Sequence, residues 1–298
     1  MLNILYKFKI KLYNSSKMKK YFPVIILNIF LIASCSKNLL FNKQINIKYR
    51  EKNPLESMRV NSLKGDVEIT GWSKDFVEID TNKKIFTGLI SDINLMDTVF
   101  YFDEVYKELN IKTKIPARIN GSIDLKIYVP FTLLKLYINS GEGNITINKH
   151  LGNIEITSSA GDNYIDFQGN ILRINSYKTK TFLKVLSYSS SDIIINSEEG
   201  SLNSFIYSVG DASYLDIKTL NATVNLNISQ EIDHKLIVKN KSKGINVKYD
   251  LDNPNSVQGT YNIFTGNYGK KYQEFIIDIN SEGGVINVSQ IISKLPIE

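Results

Sequence analysis

One glycine-led unit recurs at nearly constant spacing through the middle of the chain, and it restricts the fold more than any other feature. Gly143-Asn-Ile-Thr-Ile is followed nine residues on by Gly152-Asn-Ile-Glu-Ile. Gly161-Asp-Asn-Tyr-Ile-Asp-Phe comes nine later, and Gly169-Asn-Ile-Leu-Arg-Ile eight after that. Looser echoes are Asp192-Ile-Ile-Ile, Gly210-Asp-Ala-Ser-Tyr-Leu-Asp-Ile, Gly244-Ile-Asn-Val and Gly284-Val-Ile-Asn-Val. Each unit is a turn pair followed by a short alternating strand. Gly-Asn and Gly-Asp supply the positive φ that tight corners require. One such strand cannot bury its apolar face alone, whereas stacked copies can, and a fixed short period is the mark of a solenoid.

Elsewhere the pattern is period two. Val67 and Ile69 alternate with Asp66, Glu68 and Thr70, and Ile123, Leu125, Ile127 and Val129 alternate with polar neighbours and Tyr128. Such alternation predicts strands with one buried and one wet face. The strongest helix candidate is the short stretch Asp103 to Leu109, and Tyr101-Phe102 before it favours strand. The expected fold is therefore all-β, a solenoid of Gly-Asn-Ile-x-Ile strands, with an antiparallel β-sandwich as the alternative. Past Asn253-Pro-Asn255 the period drifts, and Tyr261, Phe264, Tyr268 and Tyr272 are expected to cap an open β edge.

The first 34 residues differ from all that follow. They carry Lys7, Lys9, Lys11, Lys17, Lys19 and Lys20 with no acidic residue, then an apolar run from Tyr21 to Ala33. A positive segment, a short apolar segment and small residues at the cut compose a secretory signal. The run is too short for a bilayer span, which needs about 20 apolar residues. It ends in Ile32-Ala33-Ser34-Cys35, which resembles the bacterial lipobox: Ile32, Ala33 and Ser34 for signal-peptidase recognition, and Cys35 for lipid (palmitate) attachment. Met18-Lys19-Lys20 and the apolar run already form a complete signal, so Met18 is a second candidate start. The expected organisation is a signal peptide at 1–34, a lipidated Cys and tether at 35–56, and a strand-repeat domain at 57–292. Ile45, Ile47 and Tyr49 alternate inside the tether and lead into a first strand.

The formal charge of +6 invites a nucleic-acid partner, but its distribution removes that reading. Six of the 36 basic residues precede Cys35, which leaves 30 against 30 acidic ones. The basic footprint of a nucleic-acid binder is missing from the mature chain. Cys35 is the only cysteine, so no intramolecular disulfide forms and the domain must be held by packing.

No catalytic constellation is found. His150 and His234 are the only histidines, and both are expected on surface corners. No Cys/His metal spacing occurs, Gly141-Glu-Gly143 is not a phosphate loop, and no Gly-x-Ser-x-Gly elbow is present. Asp162 with Asp166, Asp211 with Asp216, and Asp250 with Asp252 offer oxygens to Ca²⁺ but match no calcium-loop pattern, so they are read as solvated turn carboxylates. The site expectation is therefore no catalytic residue, no metal and no cofactor. Tyr177, Tyr188, Tyr207, Tyr214, Tyr249 and Tyr261 recur through the ladder as candidate contacts for a protein or glycan.

Val60-Asn-Ser-Leu-Lys-Gly-Asp-Val-Glu-Ile-Thr-Gly-Trp72 resembles the opening of the bacterial putative-adhesin β-strand-repeat domains, a family of unknown function. Ile127-Tyr-Val-Pro130 followed by Leu136-Tyr-Ile-Asn-Ser-Gly-Glu-Gly-Asn-Ile-Thr-Ile147 resembles their middle signature. The resemblance covers roughly 57–289 and fits less well from Lys83 to Ile119. It implies a right-handed β-helix or β-roll on an envelope-exposed, often lipid-anchored protein, with no catalytic residue to carry over. The functional expectation is a non-catalytic adhesin or interaction module on the outer membrane or cell surface. A periplasm-facing structural or sensing scaffold is the alternative, and a carbohydrate-active β-helix enzyme comes last.

Overall fold

The computed structural model describes residues 44–87, 90–242, 244–248, 252–257, 262–270 and 274–292. These residues are all-β: among them there is no α-helix, and one 3₁₀ turn spans Ile90–Leu95. In chain order the strands are β1 (Gln44–Glu51), β2 (Ser57–Lys64), β3 (Val67–Trp72), β4 (Val77–Thr87), β5 (Asp97–Asp103), β6 (Glu108–Lys114) and β7 (Asn120–Pro130). The middle of the chain forms β8 (Lys135–Glu142), β9 (Ile145–His150), β10 (Asn153–Phe167), β11 (Ile171–Leu186), β12 (Asp192–Ser208) and β13 (Ser213–Ser229). The C-terminal part forms β14 (His234–Asn240), β15 (Gly244–Val247), β16 (Asp252–Val257), β17 (Asn262–Tyr268), β18 (Phe275–Ser281) and β19 (Val285–Ile291).

The central pairings are parallel, not antiparallel as a sandwich of hairpins requires. Ile138 of β8 pairs with Ile156 of β10, Ile156 with Ile174 of β11, Ile174 with Ile195 of β12, and Ile195 with Ile217 of β13. The column continues to Ile279 of β18 at one end and to Val60 of β2 and Ile111 of β6 at the other, every member buried. Alternation explains this: with period two, identical spacing puts each isoleucine on the same inward face, and in-register stacking places like upon like.

The nine-residue repeat of the sequence is half of the eighteen-residue offset at which β8, β10 and β11 pair. The first half of β10 pairs with β8 and its second half with β9, both at an offset of eighteen residues. Midway along each long strand the alternation breaks. In β10 the interruption lies between buried Ser158 and buried Asn163, and in β11 between buried Ser176 and Thr179. Gly161 sits in the β10 break at φ 109°, and Gly143 and Gly200 occupy matching places at 129° and 109°. Only glycine adopts such angles freely.

Beside this break runs a column of small buried polar residues that the apolar pattern did not disclose. Ser62, Ser140, Ser158, Ser176, Ser197, Thr219 and Ser281 are paired neighbours from β2 to β18. Thr219 Oγ1 donates to Ser281 Oγ at 2.9 Å.

The rungs are not stacked in chain order. β2 lies between β6 and β8, so the first rung is inserted between later strands. β18 lies between β13 and β14 in the same way. Beyond these rungs the pairing turns antiparallel: β5 on β6, β4 on β7, β1 on β4, and β17 on β14. The alternating patch Ile45, Ile47 and Tyr49 is thus a strand of the sheet, β1. The helix candidate 103–109 is instead the end of β5, a tight turn and the start of β6, as Tyr101-Phe102 favoured. Phe264 and Tyr268 pack against the core from β17, as a cap would, while Tyr261 and Tyr272 lie outside the described residues.

Candidate functional site

Ile32, Ala33, Ser34 and Cys35 lie outside the described residues, as do Tyr249, Asp250 and Tyr261. The other candidates have definite places, and the two histidines need correction. Both are fully buried, not surface corner residues. His150 closes β9 with its ring turned inward. Neither ring nitrogen has a hydrogen-bond partner, and the Asn153 backbone lies near enough only to favour the cation slightly. Burial pushes its pKa down to about 4. His234 opens β14 with Nδ1 2.9 Å from the Ile232 carbonyl oxygen and its ring stacked on Tyr268; burial again lowers its pKa. The two sit far apart in chain and sheet order, at the end of β9 and the start of β14.

Among the described residues no group of three or more His, Cys, Asp or Glu side chains could hold a metal ion. Asp162 accepts from the Tyr164 hydroxyl, while Asp216 binds the Lys218 ammonium at 2.5 Å and raises its pKa. Tyr177 and Tyr188 are exposed, Tyr207 and Tyr214 half-buried.

The outward face of the second half-rungs carries the most ordered set of contact groups. One column runs Thr146, Tyr164, Phe182, Asn203, Asn225, Asn287 and Asn246, each paired in register with the next. The Tyr164 and Phe182 rings stack at 4.9 Å with 2° between planes. The asparagines then form an amide ladder: Asn225 Nδ2 donates to Asn203 Oδ1 and Asn287 Nδ2 to Asn225 Oδ1, both at 2.8 Å, and Asn246 Nδ2 to Asn287 Oδ1 at 2.9 Å. The neighbouring column is Asp166, Lys184, Phe205, Asn227 and Ser289, in which Ser289 Oγ donates to Asn227 Oδ1 at 2.8 Å. Asn225 and Asn287 each donate once and accept once, Asn203 only accepts and Asn246 only donates, and an amide has further donor and acceptor capacity.

A second aromatic group surrounds Trp72 at the end of β3. Its ring stacks on Tyr128 at 5.0 Å and meets Phe76 edge-on at 5.0 Å, with Lys74 Nζ 4.3 Å from its centroid. The indole N–H donates to the Phe76 carbonyl at 2.9 Å, so this cluster fastens the β3–β4 turn. A third group, the end of β5 and the turn to β6, exposes Tyr101, Val105 and Tyr106. Sequence reasoning passed over it, although Tyr-Phe-Asp-Glu-Val-Tyr, with aromatics flanking two acids, reads as a hairpin tip.

These surfaces hold donors, acceptors and ring edges at fixed spacing, an arrangement suited to reversible recognition. No protein-family profile and no curated protein sequence matches the chain. Among solved structures it is similar to a putative cell adhesion protein from Clostridium sporogenes, at 13% identity over 84% of this chain and 100% of that one, TM-score 0.36. It is also similar to a putative adhesin from Parabacteroides merdae, at 10% identity over 84% and 96%, TM-score 0.39. A third is a putative adhesin from Bacteroides fragilis, at 10% identity over 84% and 97%, TM-score 0.32.

Proposed function

We propose that the chain is a lipid-anchored envelope protein of bacteria whose β-ladder is a non-catalytic adhesin or interaction module. The ladder is read as a two-faced solenoid of the β-helix or β-roll kind, and chain reach supports this. A straight β10 would measure about 50 Å at about 3.3 Å per residue. The connection from Phe167 to Ile171 spans at most about 14 Å. Yet Ile154 lies beside Leu172 and Phe167 beside Val185. The strand therefore doubles back at Gly161, and each rung crosses two faces.

The observation that carries the binding role is the outward column of Tyr164, Phe182, Asn203, Asn225, Asn287 and Asn246, repeated at the rung spacing of about 4.8 Å. It offers many weak contacts in a row and no base or nucleophile. The anchor rests on Ile32-Ala-Ser-Cys35. Two or three acyl chains on Cys35 would hold the protein on a membrane effectively permanently, where a single chain holds only reversibly.

Protease shaving of intact against permeabilised cells tests the placement. Loss of the protein from intact cells supports an adhesin at the surface. Survival until permeabilisation moves it to the periplasm and favours the scaffold reading.

A further inference from the structure

The anchor and the strand order together assign a partner to the exposed apolar tip. β5 is the outermost strand at the first end of the ladder: among the described residues it pairs only with β6. The end of β5 and the turn after it present Tyr101 at 60%, Val105 at 84% and Tyr106 at 73% exposure. The turn is rigid. Asp103 Oδ1 accepts from the Val105 and Tyr106 amides at 3.0 and 3.1 Å. The Lys107 carbonyl accepts from the Glu56 amide at 3.0 Å, and Lys107 Nζ meets Glu56 at 3.0 Å. The apolar side chains are thus held outward by a braced backbone.

The same end receives the chain from the anchor. β1 is the outermost strand of the other edge, paired only with β4 among the described residues. Nine peptide steps separate Cys35 from Gln44, a reach of about 30 Å. β1 itself spans about 27 Å. The first end of the ladder, and with it the β5–β6 tip, is therefore within chain reach of a bilayer that holds a lipid on Cys35.

We infer that Tyr101, Val105 and Tyr106 enter the interfacial layer of the membrane that holds the anchor, as a second contact that stands the ladder end-on. Tyrosine suits that layer, with an apolar ring and a polar tip. Glu104 and Lys107 in the same turn stay among the headgroups. The second contact adds little to retention, which the lipid supplies, and fixes orientation: the columns of the second face are presented sideways, clear of the surface. This inference rests on the lipid-anchor reading.

The test uses the full mature chain, as purified from the cells that make it, in vesicles of phosphatidylethanolamine and phosphatidylglycerol. An environment-sensitive dye is placed through Val105→Cys, with Tyr188→Cys on a mid-ladder corner as the comparison. Flotation is measured first. The inference predicts that the protein floats, that emission of the Val105→Cys dye shifts to the blue, and that headgroup-region nitroxide lipids quench it at least several-fold more than the Tyr188→Cys dye. Flotation with equal quenching at both sites overturns the inference and leaves the anchor standing. A blue shift without lipid quenching means that protein, such as a second copy, covers the tip, and also overturns it. Failure to float overturns the anchor reading and the inference with it.

Discussion

A β-carbon added to Gly161 would lie 2.2 Å from the carbonyl oxygen of Gly143, and one added to Gly143 would lie 2.2 Å from that of Gly65. At these positions the backbones of successive paired strands touch, with no space for a side chain. Gly161→Ala combines a positive φ of 109° with that backbone clash. It should cost about 2–4 kcal/mol, at the upper range for a strained backbone site. Urea unfolding followed by circular dichroism measures it. A loss under about 0.5 kcal/mol, the usual range for surface changes, would mean the corner is open.

The amide ladder makes a smaller prediction. Asn225 donates to Asn203 and accepts from Asn287. Asn225→Ala should cost about 1 kcal/mol, since each bond contributes modestly net of water. The double variant with Asn287→Ala should cost less than the sum of the single ones, because both remove the same bond. Strict additivity would show that the Asn225–Asn287 bond contributes nothing.

The buried His150 gives a pH dependence. Its folded pKa, about 4, lies below the unfolded value near 6.5, so the folded state prefers the neutral ring. The contribution is complete above about pH 6.5 and is lost as pH falls toward 4, roughly 2 kcal/mol by pH 5. His150→Leu should flatten the fall in stability between pH 7 and pH 5 by that amount. The His234 shift has the same sign and leaves part of the slope in place. An unchanged slope in His150→Leu would show that the ring is solvated.

The first end of the ladder is closed by Tyr49 of β1 stacked on Phe100 of β5, centroids 4.3 Å apart and 4° between planes. Burial, and then the hydrogen bond from the hydroxyl to Glu51, push the Tyr49 pKa up to about 12. Phe100→Ala should therefore lower the Tyr49 pKa toward 10 and speed amide exchange in β1 while leaving β10 to β13 unchanged. Equal exchange in β1 before and after would mean the stack does not hold the edge.

The repeat was legible in the sequence because the inward residues of each half-rung recur at nine residues, and Gly143, Gly152, Gly161 and Gly169 mark alternate corners. The order of the rungs was not legible. Val60 would stack equally well on any isoleucine of the column, so nothing local shows that β2 sits between β6 and β8. The antiparallel ends were hidden for the same reason, since strands that cap a stack have the same alternation as strands inside it. The burial of His150 escaped because Lys149 before it and Leu151-Gly152 after it read as a corner, while the ring points inward. The Asn203–Asn225–Asn287–Asn246 ladder needed the register, which spacing alone did not supply once the rungs lengthened to 21 and 22 residues.

The intact mass of the protein extracted from membranes decides whether Cys35 carries a lipid anchor. The expected species begins at Cys35 and carries the added mass of two or three acyl chains, and Cys35→Ala is left unprocessed or released. A chain that begins elsewhere, or a Cys35 with a free thiol in membrane-retained protein, would contradict it.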